Sequence, residues 1–329
     1  MARSNAFDAA KQALHAHASS LLTLYNVSAV GIGMKVRGEQ STGELSVKCF
    51  VPRKIPSNEL LPGAMVPAKL GVSGGYVQTD VEEMQPPTAP PWLIDPYEYR
   101  FALAVGNKER LRPFSGGASI SSIRSLIGTT ACAVLDKFGG VAALSCNHVL
   151  DALNRGIFGD PVLQPAIDDY GTLPSDRIGF LMRWQPIVFG SPTGNLVDAA
   201  IAHVKRGDIT PFINFVGMPA GARSGNQLKL GSRVVKVGRT TALTRGFVTA
   251  VHVKGWINYP PILGGAGPAF FEEQIVTTAM AGFGDSGSLL LDEDLNAVGL
   301  LFGGSSTHTF YNDIVNVQEA LGILIPRNL

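Results

Sequence analysis

Gly284-Asp285-Ser286-Gly287-Ser288 is the stretch whose reading decides the fold. It lies between a small-residue loop, Thr277 to Phe283, and an apolar run, Leu289-Leu290-Leu291. A serine between glycines at the mouth of a buried strand has the form of a nucleophile on a tight turn. The glycines permit backbone angles that a Cβ forbids, and they let a substrate carbonyl approach bare N–H groups. A serine hydroxyl is a weak nucleophile alone. It needs a base, and the base needs an orienting group. The chain offers both. Leu144-Ser145-Cys146-Asn147-His148-Val149 puts a histidine at the end of an apolar strand. Asn195-Leu196-Val197-Asp198-Ala199-Ala200-Ile201-Ala202 sets a lone aspartate in an apolar run, where an ionised carboxylate requires a partner. Asp160, in the turn-like Phe158-Gly159-Asp160-Pro161, and Asp176 are the alternative orienting groups. A glycine-flanked serine alone is more often a plain turn, and a lone histidine more often a core residue. The three together carry the reading.

Composition sets the frame. A chain of 329 residues has room for one large domain plus a smaller one, or for two halves sharing a site. Hydrophobic residues make up 45% and charged residues 16%, enough for a sizeable core. With 38 glycines and 21 prolines, turns are frequent and short strands are favoured over long helices. The formal net charge is +1, with no basic block or aromatic-basic stripe, so nucleic acid is not an implied partner. No apolar run reaches the roughly 18 residues of a membrane span. Met1 to His17 lacks the charged-then-apolar order of a secretory signal. An odd count of three cysteines argues for a reducing compartment, so a cytoplasmic location and free thiols are expected. Cys132 and Cys146 flank an expected hairpin turning at Lys137-Phe138-Gly139-Gly140, which leaves a bond between them open.

Along the chain, residues 6–22 read as a helix with Ala9, Ala13, Leu14, His17, Leu21 and Leu22 near one face. His15 and His17 have no acidic or cysteine neighbours and are a weak metal signal. Val27 to Val36 and Glu44 to Val51 read as a hairpin, and Gly75 to Glu83 as a third strand. Gly31 and Gly33 sit in that hairpin, not between a strand and a helix, so a dinucleotide site fails its context. Residues 1–84 therefore form a small α+β domain, a candidate surface for partner or oligomer contacts. Gln85-Pro86-Pro87-Thr88-Ala89-Pro90-Pro91-Trp92 opens a stiff linker running to residue 111. From there the rhythm is short strands broken by turns. Ile127 to Leu135, Val141 to Ser145, Ile178 to Phe180, Val188 and Val197 to Val204 form one series, within 112–210. Arg233 to Val237, Gly246 to Val253, Gln274 to Thr278, Ser288 to Asp292 and Ala297 to Leu301 form another, within 211–329. Two such series imply two β-barrels meeting at a cleft. Asn312 to Ile323 is expected as a closing helix.

The chain resembles the chymotrypsin-like (trypsin-like) serine peptidases, and within them the intracellular branch of many bacterial proteins and the plant Narrow Leaf protein. The matching residues are Arg112-Pro113 with Gly116-Gly117, Ser145 to Leu150, Gly159-Asp160 and Gln164-Pro165. They continue through Val197 to Ala202, Lys236-Val237-Gly238-Arg239-Thr240-Thr241, Gly284 to Leu289 and Gly299-Leu300-Leu301-Phe302-Gly303-Gly304. The likeness covers roughly residues 112 to 322. It implies a mainly β fold of two six-stranded-type barrels, here with the small N-terminal α+β domain and the C-terminal helix.

By that likeness His148 is the general base, Asp198 its orienter and Ser286 the nucleophile. The order His, Asp, Ser is that of the chymotrypsin template. The N–H groups of Gly284 and Ser286 would face the developing oxyanion. The resemblance also puts the floor of the substrate pocket near Met280 and Ala281, and its far wall near Phe302, Gly303 and Gly304. No acid stands there, so an apolar residue before the scissile bond is expected. His308 is close enough in sequence to reach the rim and read an acidic residue. In secreted relatives the aspartate before the nucleophile receives a new N-terminal amine. Here Asp285 needs an internal partner, with Lys236 and Arg239 as candidates and solvation the expected fate of each, or the enzyme is latent. No metal or organic cofactor is implied. The expected activity is peptide-bond hydrolysis by an intracellular serine endopeptidase. The competing readings are a latent or inactive peptidase-fold scaffold, and an esterase using the same triad.

Overall fold

The segment around Thr130 decides how the first half curls. In the computed structural model, which describes residues 2–38, 40–89, 105–125, 127–259 and 267–327, Ile127 to Leu135 is not one strand. It divides into Gly128–Thr129 and Ala133–Asp136. Thr130 N donates to Ala118 O at 2.8 Å, and one residue later Ala131 N donates to Leu144 O at 2.8 Å. The backbone thus leaves one neighbour for another between these residues. That switch closes the sheet through Val141–Ser145, Ala200–Val204, Arg177–Trp184, Pro161–Leu163 and Ser119–Ser122. The apolar run that read as continuous in sequence is a barrel corner. Strand Ile323–Leu324, after the last helix, adds to Ala133–Asp136 at the outer edge.

The second barrel closes through hydrogen bonds alone. Its circuit runs Arg233–Gly238, Leu289–Asp292, Asn296–Gly304, His308–Asp313, Gly267–Thr278 and Ala242–Tyr259, and Arg233–Gly238 pairs again with Ala242–Tyr259. Several strands outrun their apolar cores. Ala242–Tyr259 is an 18-residue strand alternating buried with half-buried or exposed positions along most of its length. Gly246 to Val253 is only its middle. His308–Asp313 lies within a polar-aromatic stretch that periodicity alone does not announce. The closing helix is shorter than expected, Ile314–Leu321. Its N-cap Asp313 accepts from Val315 N at 2.9 Å, and Gly322 ends it in the left-handed conformation.

Two further expectations are corrected. Val188 is in no strand; the Asn195 side chain takes the place of a ladder, accepting from Val188 N at 2.8 Å and donating to Val188 O at 2.9 Å. Asp198 is not inside a strand but two residues before Ala200–Val204. It is fully buried all the same.

The N-terminal hairpin, Ala29–Arg37 with Gln40–Val51, is hydrogen-bonded into the second sheet: Ala29–Arg37 runs antiparallel to Ala242–Tyr259. Gly75–Glu83 then pairs in parallel with Gln40–Val51. Helix Ala2–Leu22 covers these strands with Ala10, Ala13, Leu14, Ala18 and Leu21. His17 lies at the margin of that face and bonds Gly71 O at 3.0 Å. The linker reading falls partly on residues 90–104, outside the described residues. No described helix is long and apolar enough to cross a membrane. The fold is mainly β, with an 11-stranded sheet, an 8-stranded sheet and a small two-stranded one among the described residues.

Candidate active site

Thr129 is the stitch between the barrels. Its N–H donates to Ser286 O at 2.8 Å and its hydroxyl to Gly284 O at 2.8 Å. Its own carbonyl accepts from Ser145 Oγ at 2.7 Å, three residues before His148. Gly287 has φ 96°, and a Cβ there would stand 2.1 Å from Thr129 O and 2.2 Å from Ser145 Oγ. Only glycine fits. The Leu301 carbonyl makes a second tie, accepting from Gly287 N at 2.7 Å and from Cys146 Sγ at 3.0 Å. The segments bearing Ser286 and His148 therefore share two anchors.

His148 sits on a short helical turn, Asn147–Leu150, that follows strand Val141–Ser145. Its Nδ1 lies 2.6 Å from Asp198 Oδ2, and its backbone N–H donates to Asp198 Oδ1 at 3.1 Å. Tyr259 OH donates to Asp198 Oδ2 at 2.8 Å. The Asp198 N–H in turn donates to Asn312 Oδ1 at 3.0 Å, so the second barrel holds the carboxylate's backbone. Burial, then the Asp198 charge, push the Tyr259 phenol well above its usual pKa, which keeps it a donor. Asp160 and Asp176 lie apart from this group. Asp160 accepts from Arg124 Nε at 2.6 Å and Asp176 from Arg110 Nε at 3.0 Å. His148 Nε2 and Ser286 Oγ are both buried without a hydrogen-bond partner among the described residues.

Asp285 is held from inside. Its two oxygens accept from Thr240 N (2.8 Å), Thr241 N (3.1 Å), Thr241 Oγ1 (2.5 Å), Gly282 N (3.0 Å) and Lys236 Nζ (2.9 Å). Lys236 is not solvated as expected but wholly buried, and Arg239 is turned to Asp169 instead, with Nε 2.7 Å from Oδ2. Burial alone would raise the Asp285 carboxyl. The Lys236 charge, the Thr241 hydroxyl and the Gly282 N–H outweigh it and hold the group below its ordinary range.

Similar folds occur among solved serine proteases. A glutamic acid-specific serine protease that uses a histidine triad in substrate binding is 20% identical over 65% of this chain and 100% of its own, at a TM-score of 0.46. Thermobifida fusca Protease A is 18% identical over 64% of this chain and 96% of its own, at 0.45. The chymotrypsin of Cellulomonas bogoriensis is 21% identical over 65% and 98%, at 0.44. No family profile and no curated protein sequence matches the chain.

The remaining expected site residues are placed as follows. Met280 is buried in the second barrel's core, with Tyr311 OH 3.7 Å from its sulfur. Ala281 is buried beside it, and Phe302 is buried against Phe271, ring centroids 4.7 Å apart. Gly303 and Gly304 end strand Asn296–Gly304. His308 does not stand free at a rim. It is buried, edge-on to Phe50, with Nε2 3.0 Å from Glu82 Oε1, so the acid it holds belongs to the chain itself. Lys48 binds the same carboxylate. Burial would raise Glu82, but His308 and Lys48 pull it down to about 2.

Cys146, His148 and Asp198 offer donor atoms within 4.8 Å of one another, the one metal-like cluster among the described residues. The chemistry fits hydrogen bonding better. A thiolate is the ligating form, whereas burial and the Asp198 charge raise the Cys146 thiol well above its usual pKa. Sequence reading missed Tyr259, Asn312 and Thr129. Each acts through polar groups on a strand or strand end whose partners lie far away in the sequence: Thr129 with both backbone groups and its hydroxyl, Tyr259 with its hydroxyl, and Asn312, which was expected in the closing helix, with its amide.

Proposed function

We propose that the chain is a serine endopeptidase acting in the cytoplasm through Ser286, His148 and Asp198. The observation that carries this reading is the 2.6 Å contact of His148 Nδ1 with the buried Asp198, which leaves Nε2 as the ring's free nitrogen beside a segment tied to the Ser286 turn. Asp198 fixes the tautomer: Nδ1 keeps its proton, and Nε2 is the acceptor.

In the first step Ser286 Oγ attacks the peptide carbonyl carbon while Nε2 takes the hydroxyl proton. The carbonyl π pair moves to oxygen, facing the N–H groups of Gly284 and Ser286. No described residue accepts a hydrogen bond from either N–H. One such donor contributes roughly 2.7–4 kcal/mol to transition-state stabilisation. The tetrahedral adduct then expels the amine, which leaves with the proton from Nε2. Water, activated by the same nitrogen, hydrolyses the acyl ester and restores Ser286. The buried Lys236–Asp285 pair supports a turn organised without chain cleavage. Met280, Ala281, Phe302, Gly303 and Gly304 are the proposed pocket, favouring an apolar side chain before the scissile bond.

A second reading, a latent or inactive peptidase-fold binding protein, is favoured by one observation: the Ser286 side chain has no exposed surface. Labelling with a fluorophosphonate separates the two. Stoichiometric labelling abolished by Ser286→Ala is the expected result. An unlabelled wild-type chain would leave the binding-protein reading.

A further inference from the structure

Residues 87–89 bridge two strands of the second sheet. Thr88 N donates to Gly304 O at 2.9 Å, and Gly304 N donates back to Thr88 O at 2.9 Å. This is an antiparallel bridge. On the other side Ala89 N donates to Asn258 O at 2.8 Å and Asn258 N to Pro87 O at 3.0 Å. The segment thus fills the gap between strands Asn296–Gly304 and Ala242–Tyr259. A Cβ on Gly303 would lie 3.0 Å from Thr88 O, so the glycine leaves room for the passing backbone.

The lane it occupies leads to the serine turn. Strand Asn296–Gly304 carries His308–Asp313 along one edge. On the opposite edge, at Leu301, it bonds Gly287 and Ser288: Gly287 N to Leu301 O at 2.7 Å, and Leu301 N to Ser288 O at 2.9 Å. Three residues along that edge Gly304 meets Thr88. A peptide laid on this edge would therefore bring its backbone past Gly304 toward Ser286.

We propose that the chain's own residues 87–89 occupy the Gly304 edge in the place of an extended substrate peptide and hold it until substrate displaces them. This rests on the serine peptidase reading above. Strand addition binds through main-chain groups, so it favours unfolded, extended polypeptide over compact substrates. The holding strand is short because Pro86 and Pro87 have no N–H to donate. It is also tethered, and a tethered segment competes at an effective concentration on the order of millimolar. Short peptides accordingly compete poorly with it. The buried Ser286 hydroxyl fits a lane that is filled.

The test uses the full chain, fluorophosphonate labelling and cleavage of fluorescent casein. Thr88→Pro removes the N–H that reaches Gly304 while continuing an extended Pro-Pro run. Its expected effect is a fall in KM for casein of about three- to tenfold, the worth of one hydrogen bond, at unchanged kcat. A KM unchanged or raised in a variant that melts like the parent overturns the inference. A second measurement does not need that variant. In the Ser286→Ala chain, excess casein should strip hydrogen-exchange protection from the Thr88 and Ala89 amides while Gly304 stays protected. Protection retained at Thr88 and Ala89 overturns the inference too. Ser286-dependent labelling with neither effect leaves the peptidase reading standing and removes only this one. No labelling in any chain removes both.

Discussion

Lys236 Nζ lies 2.9 Å from Asp285 Oδ2, and neither side chain has any exposed surface. Asp285 directly precedes Ser286 in the chain, so the pair ties strand Arg233–Gly238 to the turn that carries the serine. Removing one partner of such a pair leaves a buried charge uncompensated, at roughly 3–5 kcal/mol. Lys236→Met should therefore lower stability by about that amount, measured by urea unfolding, and abolish labelling. Adding Asp285→Asn should return much of the stability, because no bare charge remains. It should not return labelling, since the turn loses the carboxylate that gathers Thr240, Thr241 and Gly282. Recovery of both would mean the pair does not position the turn.

Tyr259 offers a narrower test. Its hydroxyl is one of three groups on the Asp198 carboxylate, with the His148 ring and the His148 N–H. Hydrogen bonds to charged groups contribute about 1.5–3 kcal/mol. Tyr259→Phe keeps the ring contacts with His148 and Phe189. It should lower kcat about ten- to a hundredfold with KM unchanged, because the phenol touches Asp198 and not the substrate. A change confined to KM would assign Tyr259 to substrate binding instead.

How much of this was legible in the sequence follows from what kind of signal each part leaves. The hairpin Ala29–Arg37 with Gln40–Val51, strand Val141–Ser145 and helix Ala2–Leu22 write their periodicity into the chain. So did the Gly-Asp-Ser-Gly turn, because glycine marks backbone constraint. What stayed hidden depends on long-range contact. Thr130 to Cys132 looks like strand but changes neighbours, and no local pattern encodes a neighbour. Lys236 reads as a surface cation until Asp285, 49 residues later, is folded onto it. The proline run read as a linker, yet Thr88 pairs on both sides with strands more than 150 residues away.

The thiols give a chemical check on the core. Cys49, Cys132 and Cys146 are free and buried. Burial pushes Cys49 and Cys132 up to about 12, the first with help from the Asp80 charge. Cys146 is raised by burial and by Asp198. The thiolate is the reactive form, so the native chain at pH 8 should show no fast reaction with a disulfide reagent. After denaturation all three cysteines should react. Rapid titration of one thiol in the native chain would mean that one of these positions opens.

Asp151 predicts a pH dependence of stability. It follows the His148 turn and is buried, with Oδ1 unpartnered among the described residues and Oδ2 3.1 Å from Asn147 Nδ2. Burial, outweighing the nearby Gly156 and Asn154 N–H groups and the Asn147 bond, raises its carboxyl to about 7. In the unfolded chain the ordinary value is about 3.9. Below pH 4 both states hold the proton and the group contributes no penalty. Between about 4 and 7 the unfolded chain ionises while the folded carboxyl stays neutral, so stability falls as pH rises, by up to about 1.4 kcal/mol per pH unit. Above 7 the loss is complete. Asp151→Asn keeps a neutral group of the same shape and removes the titration. Urea unfolding at pH 4, 6 and 8 should show a declining contribution in the parent that the variant lacks, leaving the variant relatively more stable at pH 8 than at pH 4. Parallel pH profiles in the two chains would mean that the folded carboxyl ionises at its ordinary pH and is solvated by a route the burial of Asp151 does not suggest.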